Sequence, residues 1–216
     1  MRIKLGSTVS GVFVGEDDGP PPFRSPGVRV SLLAPLGNVL PTVRIVSPEP
    51  DWSFKLQGLG GPFLFRAVGL PEGWAVGAVK IGDRDITDTP WDVPTGGKQI
   101  DGLKIVLTQK AGRISGSVVD ASNKPTSGET VIVFADDEKL WVPGSRFISA
   151  QRPSKDGSFS LAGLPPGIYR AIARDLVEDG QWFDRDFLEQ IRDIATRIEL
   201  GDGAKTSITL KTTSVR

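Results

Sequence analysis

Nine residues, DWSFKLQGL at positions 51–59, return 105 positions later as DGSFSLAGL at 156–164, with six of the nine identical. The same offset carries Val9-Ser10-Gly11 onto Ile114-Ser115-Gly116. One offset shared by two separated segments means that a module of about 105 residues was duplicated. The 216 residues therefore read as two domains, 1–110 and 111–216, each near the commonest domain size. The junction QKAG at 109–112 is too short to act as a flexible tether.

Within each copy the apolar pattern is that of β-strands. In the second copy RISGSVVD (113–120) alternates as a half-buried strand does, and TVIVFAD (130–136) is a continuous β-branched run suited to a central strand. RFISAQR, SFSLAGL, IYRAIAR, TRIEL and KTSITLKT follow as further strands. A Lys-Asp-Gly turn precedes SFSLAGL, and Phe159 and Leu161 are expected to point the same way. The first copy repeats the order with STVSGVFVG, GVRVSLLAP, TVRIVS, WSFKL, PFLFRAVGL, VGAVKIG and LKIVLTQ.

The copies differ in their excursions. The first has a proline-dense loop at 15–27 and a long excursion at 82–102 before its last strand. The second has one helical stretch, 185–195, with Phe187, Leu188, Ile191, Ile194 and Ile198 on one face and Glu189, Arg192 and Asp193 opposite. Asp186 and Glu189 have the spacing of a capping box, and so narrow a stripe is expected to lie on its own domain's sheet.

Glycine (26) and proline (17) make up a fifth of the chain, which implies many tight turns. Lys+Arg and Asp+Glu are both 26, so no net field draws a polyanion, and nucleic-acid binding is not expected. No apolar run reaches membrane-spanning length, and Met1 leads into a strand rather than a basic-then-apolar leader. The chain holds neither cysteine nor histidine. Disulfides, thiolate zinc sites, His-based metal sites and His-activated nucleophiles are thereby excluded, and no cofactor is expected.

Some candidate residues remain. Asp83, Asp85, Asp88 and Asp92 fall within ten residues beside Thr87 and Thr89, an oxygen-rich loop of the kind that can hold calcium. The spacing lacks the order of a calcium loop, Arg84 interrupts it, and solvated acids capping turns account for it better. Paired carboxylates for glycoside hydrolysis are formally available, but nothing singles out a pair. Trp74, Trp91, Trp141 and Trp182 lie in loops or at strand ends, and Trp52 precedes Phe54 at a turn. Exposed rings would stack on sugars or anchor a protein partner; buried ones close the ends of the domains. A Lys–Asn isopeptide crosslink is discounted, because the first strands lack lysine and the only asparagines, Asn38 and Asn123, fall in turns.

The second copy resembles the carboxypeptidase regulatory-like domain, a transthyretin-like β-sandwich grouped with carbohydrate-binding-like folds. The resemblance rests on Gly116, Val118, Asp120 and Pro125, then Asp156, Gly157 and Phe159, then Gly163, Leu164, Pro165, Gly167 and Tyr169, and it covers most of residues 112–212. The first copy has Trp52 in place of the turn glycine and Gly60-Gly61-Pro62 in place of Pro-Pro-Gly, so it is a diverged copy. The resemblance implies an all-β chain of two tandem transthyretin-like (prealbumin-like, Ig-like) β-sandwiches of about seven strands each, with one short helix in the second. It also implies a non-catalytic structural or interaction module of a larger extracytoplasmic bacterial protein, meeting a protein or glycan partner without membrane insertion. The alternative is carbohydrate binding through the loop tryptophans. Hydrolases and dioxygenases of similar fold need histidine, which is absent.

Overall fold

A computed structural model describes residues 5–24, 26–34 and 43–213. Asn38 and parts of the second and third predicted strands of the first copy lie outside the described residues. The described residues are all-β apart from one α-helix and two 3₁₀ turns, and the chain divides into two compact units, Met1–Gln109 and Lys110–Arg216.

Unit 1 contains β1 (Ser7–Val14), β2 (Arg29–Leu33), β3 (Val43–Val46), β4 (Ser53–Leu59), β5 (Gly61–Val68), β6 (Ala75–Ile81), β7 (Arg84–Asp85), β8 (Trp91–Val93) and β9 (Gln99–Thr108). One sheet runs β4-β1-β9-β6-β7 and the other β3-β2-β5-β8. Alternation supplies the core: Val9 and Phe13 of β1, Val30 and Leu32 of β2, Phe54 and Leu56 of β4, and Leu103, Ile105 and Leu107 of β9 are all buried in one cluster. Each such side chain contributes roughly 1.5–3 kcal/mol through burial. The excursion at 82–102 is not simply a loop. It forms β7 and β8, and β9 begins at Gln99 rather than Leu103. The early start is joined to the rest of β9 by a bulge. Val9 pairs with Ile100 and Gly11 with Leu103, so β9 holds one extra residue there, and Gly102 takes a φ of 87°.

Unit 2 contains β10 (Gly112–Val119), β11 (Thr130–Ala135), β12 (Ile148–Gln151), β13 (Ser158–Leu164), β14 (Gly167–Arg174), α1 (Arg185–Arg192), β15 (Thr196–Leu200) and β16 (Lys205–Thr213). Its order is β12-β11-β14-β16-β10-β13, with β15 on β14. The pairing β13-β10-β16 repeats β4-β1-β9, and β12-β11-β14 repeats β3-β2-β5. The units part at the penultimate long strand: β6 pairs with β9, whereas β15 pairs with β14.

The helix explains why β11 is buried on both faces. Val131 and Val133 enter the core between the sheets, while Ile132 and Phe134 face the other way, against Phe187, Leu188 and Ile191 of α1. Matching the β2–β5 register to the β11–β14 register places Ser31 where Ile132 stands and Arg66 where Ile172 stands. Unit 1 thus has polar residues on that face, with Ser31 buried and Arg66 donating to the carbonyl of Thr87 at 2.6 Å.

The helix differs from the sequence expectation in three ways. It ends at Arg192 rather than 195. Its N-cap is Asp184, whose carboxylate accepts from the Phe187 N–H at 2.9 Å, so Asp186 is not the cap and Glu189 instead pairs with Arg185 at 3.0 Å. Ile194 lies beyond the helix and is 57% exposed, and Ile198 belongs to β15 and the inter-sheet core. The helical spacing ran on past the helix because the first inward residue of β15 falls in phase with it.

Candidate functional site

The residues repeated between the copies assemble turns and core. Asp51 Oδ1 accepts from the Ser53 N–H (3.0 Å) and hydroxyl (2.6 Å), and Asp156 Oδ1 accepts from Ser158 in the same way at 3.0 and 2.7 Å. These bonds hold both carboxyls below the usual carboxylate range. Backbone bonds Glu49 N–H to Ser53 O and Trp52 N–H to Glu49 O close the first turn, and Ser154 to Ser158 and Gly157 to Ser154 close the second. Phe54 and Phe159, Leu56 and Leu161, and Leu59 and Leu164 are all buried.

The other motif residues are equally structural. Asp120 Oδ1 accepts from the Ser122 and Lys124 N–H groups at 2.8 and 2.9 Å, and Val119 bridges Pro125 across that turn. Tyr169, fully buried, donates its hydroxyl to the Pro165 carbonyl at 2.6 Å. Extending the β2–β5 register by one residue puts Phe63, which has no hydroxyl to donate, at the Tyr169 position of unit 1.

The structure does not gather the four loop aspartates. Asp85 is in β7 and Asp92 in β8. Asp85 Oδ1 accepts from the Thr87 N–H and hydroxyl, and Asp88 lies 3.7 Å from Arg66. Asp83 borders a polar concavity of about 490 Å³ that also holds Lys80 and Lys104, which face each other across β6 and β9. Lys104 binds Asp18 at 2.9 Å, which with its charge holds the Asp18 carboxyl below its usual range. Glu16 and Asp18 line the same concavity, so its charges are mixed, with Lys80 and Lys104 among three carboxylates. Among the described residues no group of three or more acidic side chains could hold a metal ion.

The tryptophans divide. Trp91, read as a loop or strand-end residue, opens β8 and is buried against Phe65, with centroids 5.8 Å apart. Trp141 is buried edge-on to Phe134 and donates its Nε1–H to the Ala135 carbonyl at 2.7 Å. Trp74 is half-buried beside Phe23 at 4.9 Å. Trp182, in a 3₁₀ turn (Gln181–Phe183), is half-buried against the helix cluster. Two of the four are therefore core residues that cannot stack on a sugar, and Trp52, also buried, makes a third ring in the interior. Sequence alone offers both the exposed and the buried placement, and Trp91, between Pro90 and Asp92, and Trp141, between Leu140 and Val142, both take the buried one.

One unit 2 feature escaped the sequence reading. Leu176, just after β14, has a φ of 52° and is 86% exposed, and the preceding Asp175 carries a buried carboxylate oxygen, Oδ1, without a hydrogen-bond partner among the described residues. No periodicity marks a single strained loop residue.

An ionic network ties α1 to its unit. Arg170 binds Asp136 at 2.7 Å, Arg185 binds Glu138 at 2.7 Å, and Arg192 donates to Glu138 and stacks its guanidinium on Trp141. The Arg170 bond holds the Asp136 carboxyl below its usual range. Among the described residues no helix is long and apolar enough to cross a membrane.

No family model and no curated protein matches the chain. Solved structures do match at low identity. The Bacillus anthracis TIE protein is 13% identical over 99% of this chain and 34% of its own length, with a TM-score of 0.28. A streptococcal ancillary pilin is 16% identical over 95% of this chain and 62% of its own (TM-score 0.32). The minor pilin GBS52 of Streptococcus agalactiae is 12% identical over 98% of both chains (TM-score 0.34). The chain thus spans about a third and under two thirds of the first two. The all-β assignment stands on the strands and registers given above.

Proposed function

We propose that the chain is a non-catalytic structural or interaction module of a larger extracytoplasmic bacterial protein, composed of two carboxypeptidase regulatory-like β-sandwiches. The observation that carries this reading is the use of the repeated residues. Asp51 and Asp156, Ser53 and Ser158, and the three buried pairs that follow are all consumed in turns and core. A duplicated active site would be expected to repeat reactive groups, and what repeats here is architecture.

The interaction half of the reading falls on what the copies do not share: the half-buried Trp74 of unit 1, and the exposed Leu176 with the half-buried Trp182 of unit 2. Carbohydrate binding through the four loop tryptophans loses support, since Trp91 and Trp141 are interior. A glycan array probed at high protein concentration tests this. No retained glycan is expected, and retention abolished by Trp74→Ala or Trp182→Ala would restore the carbohydrate reading.

A further inference from the structure

We propose that each unit is built to carry tension along the chain, with the parallel ladder between its first and last strands as the element that resists. This rests on the structural reading and gives it a specific mechanical form. In unit 1, β1 pairs in parallel with β9 from Thr8–Gln99 to Val14–Val106. In unit 2, β10 pairs in parallel with β16 through seven consecutive positions, from Arg113–Lys205 to Val119–Lys211.

The chain enters each unit at the N-terminal end of the first strand and leaves at the C-terminal end of the last. In a parallel pair those two points lie at opposite ends of one ladder. Tension through the chain therefore slides the two strands along each other and loads all the inter-strand bonds together. Had the two strands been antiparallel, the same tension would open the ladder one rung at a time. Gly11 and Gly116 let the ladders close tightly: a Cβ there would lie 2.6 Å from the Leu103 carbonyl oxygen and 1.7 Å from that of Ile208.

The two ladders are not equal. The β9 bulge interrupts the first between Val9 and Gly11, whereas the second has no break. Unit 1 therefore yields first, and unit 2 at higher force.

The chain has no cysteine, so engineered thiols serve as unique pulling points. Single-molecule pulling through the two chain ends is compared with pulling through Lys110→Cys and Lys205→Cys, two points at the same end of the β10–β16 ladder, which unzips it. End-to-end pulling is expected to rupture unit 2 at a force at least about twofold higher at the same speed. A second variant, Ser115→Cys/Ser207→Cys, joins residues paired across the ladder. Neighbouring strands lie about 4.8 Å apart, within disulfide reach. Its oxidised form should lose the stronger of the two end-to-end ruptures and regain it on reduction. Equal forces in the two geometries would overturn the proposal, and loss of the weaker rupture would overturn the ranking of the units. Turnover of a substrate by the chain would sink the non-catalytic reading and leave this comparison of forces untouched.

Discussion

Trp52 and Gly157, 105 positions apart, hold the same left-handed turn position, with φ of 68° and 80°. In unit 2 a Cβ at Gly157 would lie 2.7 Å from the Val118 carbonyl oxygen and 3.1 Å from Pro125, so the turn at 120–125 fills that space. In unit 1 the corresponding space holds the indole of Trp52, edge-on to Phe13 at 5.9 Å and to Phe23 at 5.4 Å. The left-handed backbone costs a non-glycine residue about 1–2 kcal/mol, and burial of the ring outweighs it.

Trp52→Gly should therefore relax the backbone yet lose stability on balance, by about 2–3 kcal/mol, because the cavity term exceeds the strain relieved. Gly157→Ala should cost about 2 kcal/mol or more through the left-handed penalty and the Val118 contact. Chemical denaturation followed by circular dichroism checks both; a stabilised Trp52→Gly would show that the ring contributes little.

Gly116→Ala should be among the most damaging single changes, since the Ile208 carbonyl occupies the position of the new methyl group. A loss above about 4 kcal/mol, or failure of unit 2 to fold, is expected. Gly11→Ala meets the Leu103 carbonyl and the Phe54 ring at longer range and should cost less. Thermal unfolding of the two variants gives the comparison.

Asp184→Ala should destabilise unit 2 by about 1 kcal/mol through loss of the N-cap bond to Phe187, while Asp186→Ala should change stability by less than about 0.5 kcal/mol. The reverse order in denaturation midpoints would move the cap to Asp186.

Leu176→Gly should stabilise the chain by about 0.5–1 kcal/mol, since it removes left-handed strain from a side chain that buries almost nothing. A fall in melting temperature would reveal a contact that Leu176 makes in solution.

Asp18, Asp51, Asp136 and Asp156 all have carboxyls held below their usual range by bonds formed on folding. A depressed native pKa means the unfolded chain binds these protons first as pH falls. Their stabilisation is complete above about pH 4 and declines as acidity moves through the native values. Asp136→Asn should flatten that decline in a pH series of unfolding midpoints.

Strand positions and the turn at Asp156-Gly157 were legible because period-two alternation and turn chemistry are local. The Val/Ile-Ser-Gly repeat was visible too, although its cause, a carbonyl of the last strand pressed against the glycine, is a contact between residues more than 90 positions apart. The move of β15 onto β14, the inward turn of Trp91 and Trp141, and the short strands β7 and β8 were not legible. Each depends on what covers a face or edge once the sheets have formed. The cap was misplaced because Asp184 and Asp186 are both acids of the right kind, and only the backbone at Asp184, extended at ψ 124°, distinguishes them.

The most direct test of a structural role is to pull the intact chain by its two ends. Two separate ruptures are predicted, each releasing about 350 Å of chain, as expected for about 100 residues at roughly 3.4 Å each. Smooth extension without ruptures, or a single rupture releasing both units together, would contradict an account in which each copy is a self-contained sandwich that resists tension.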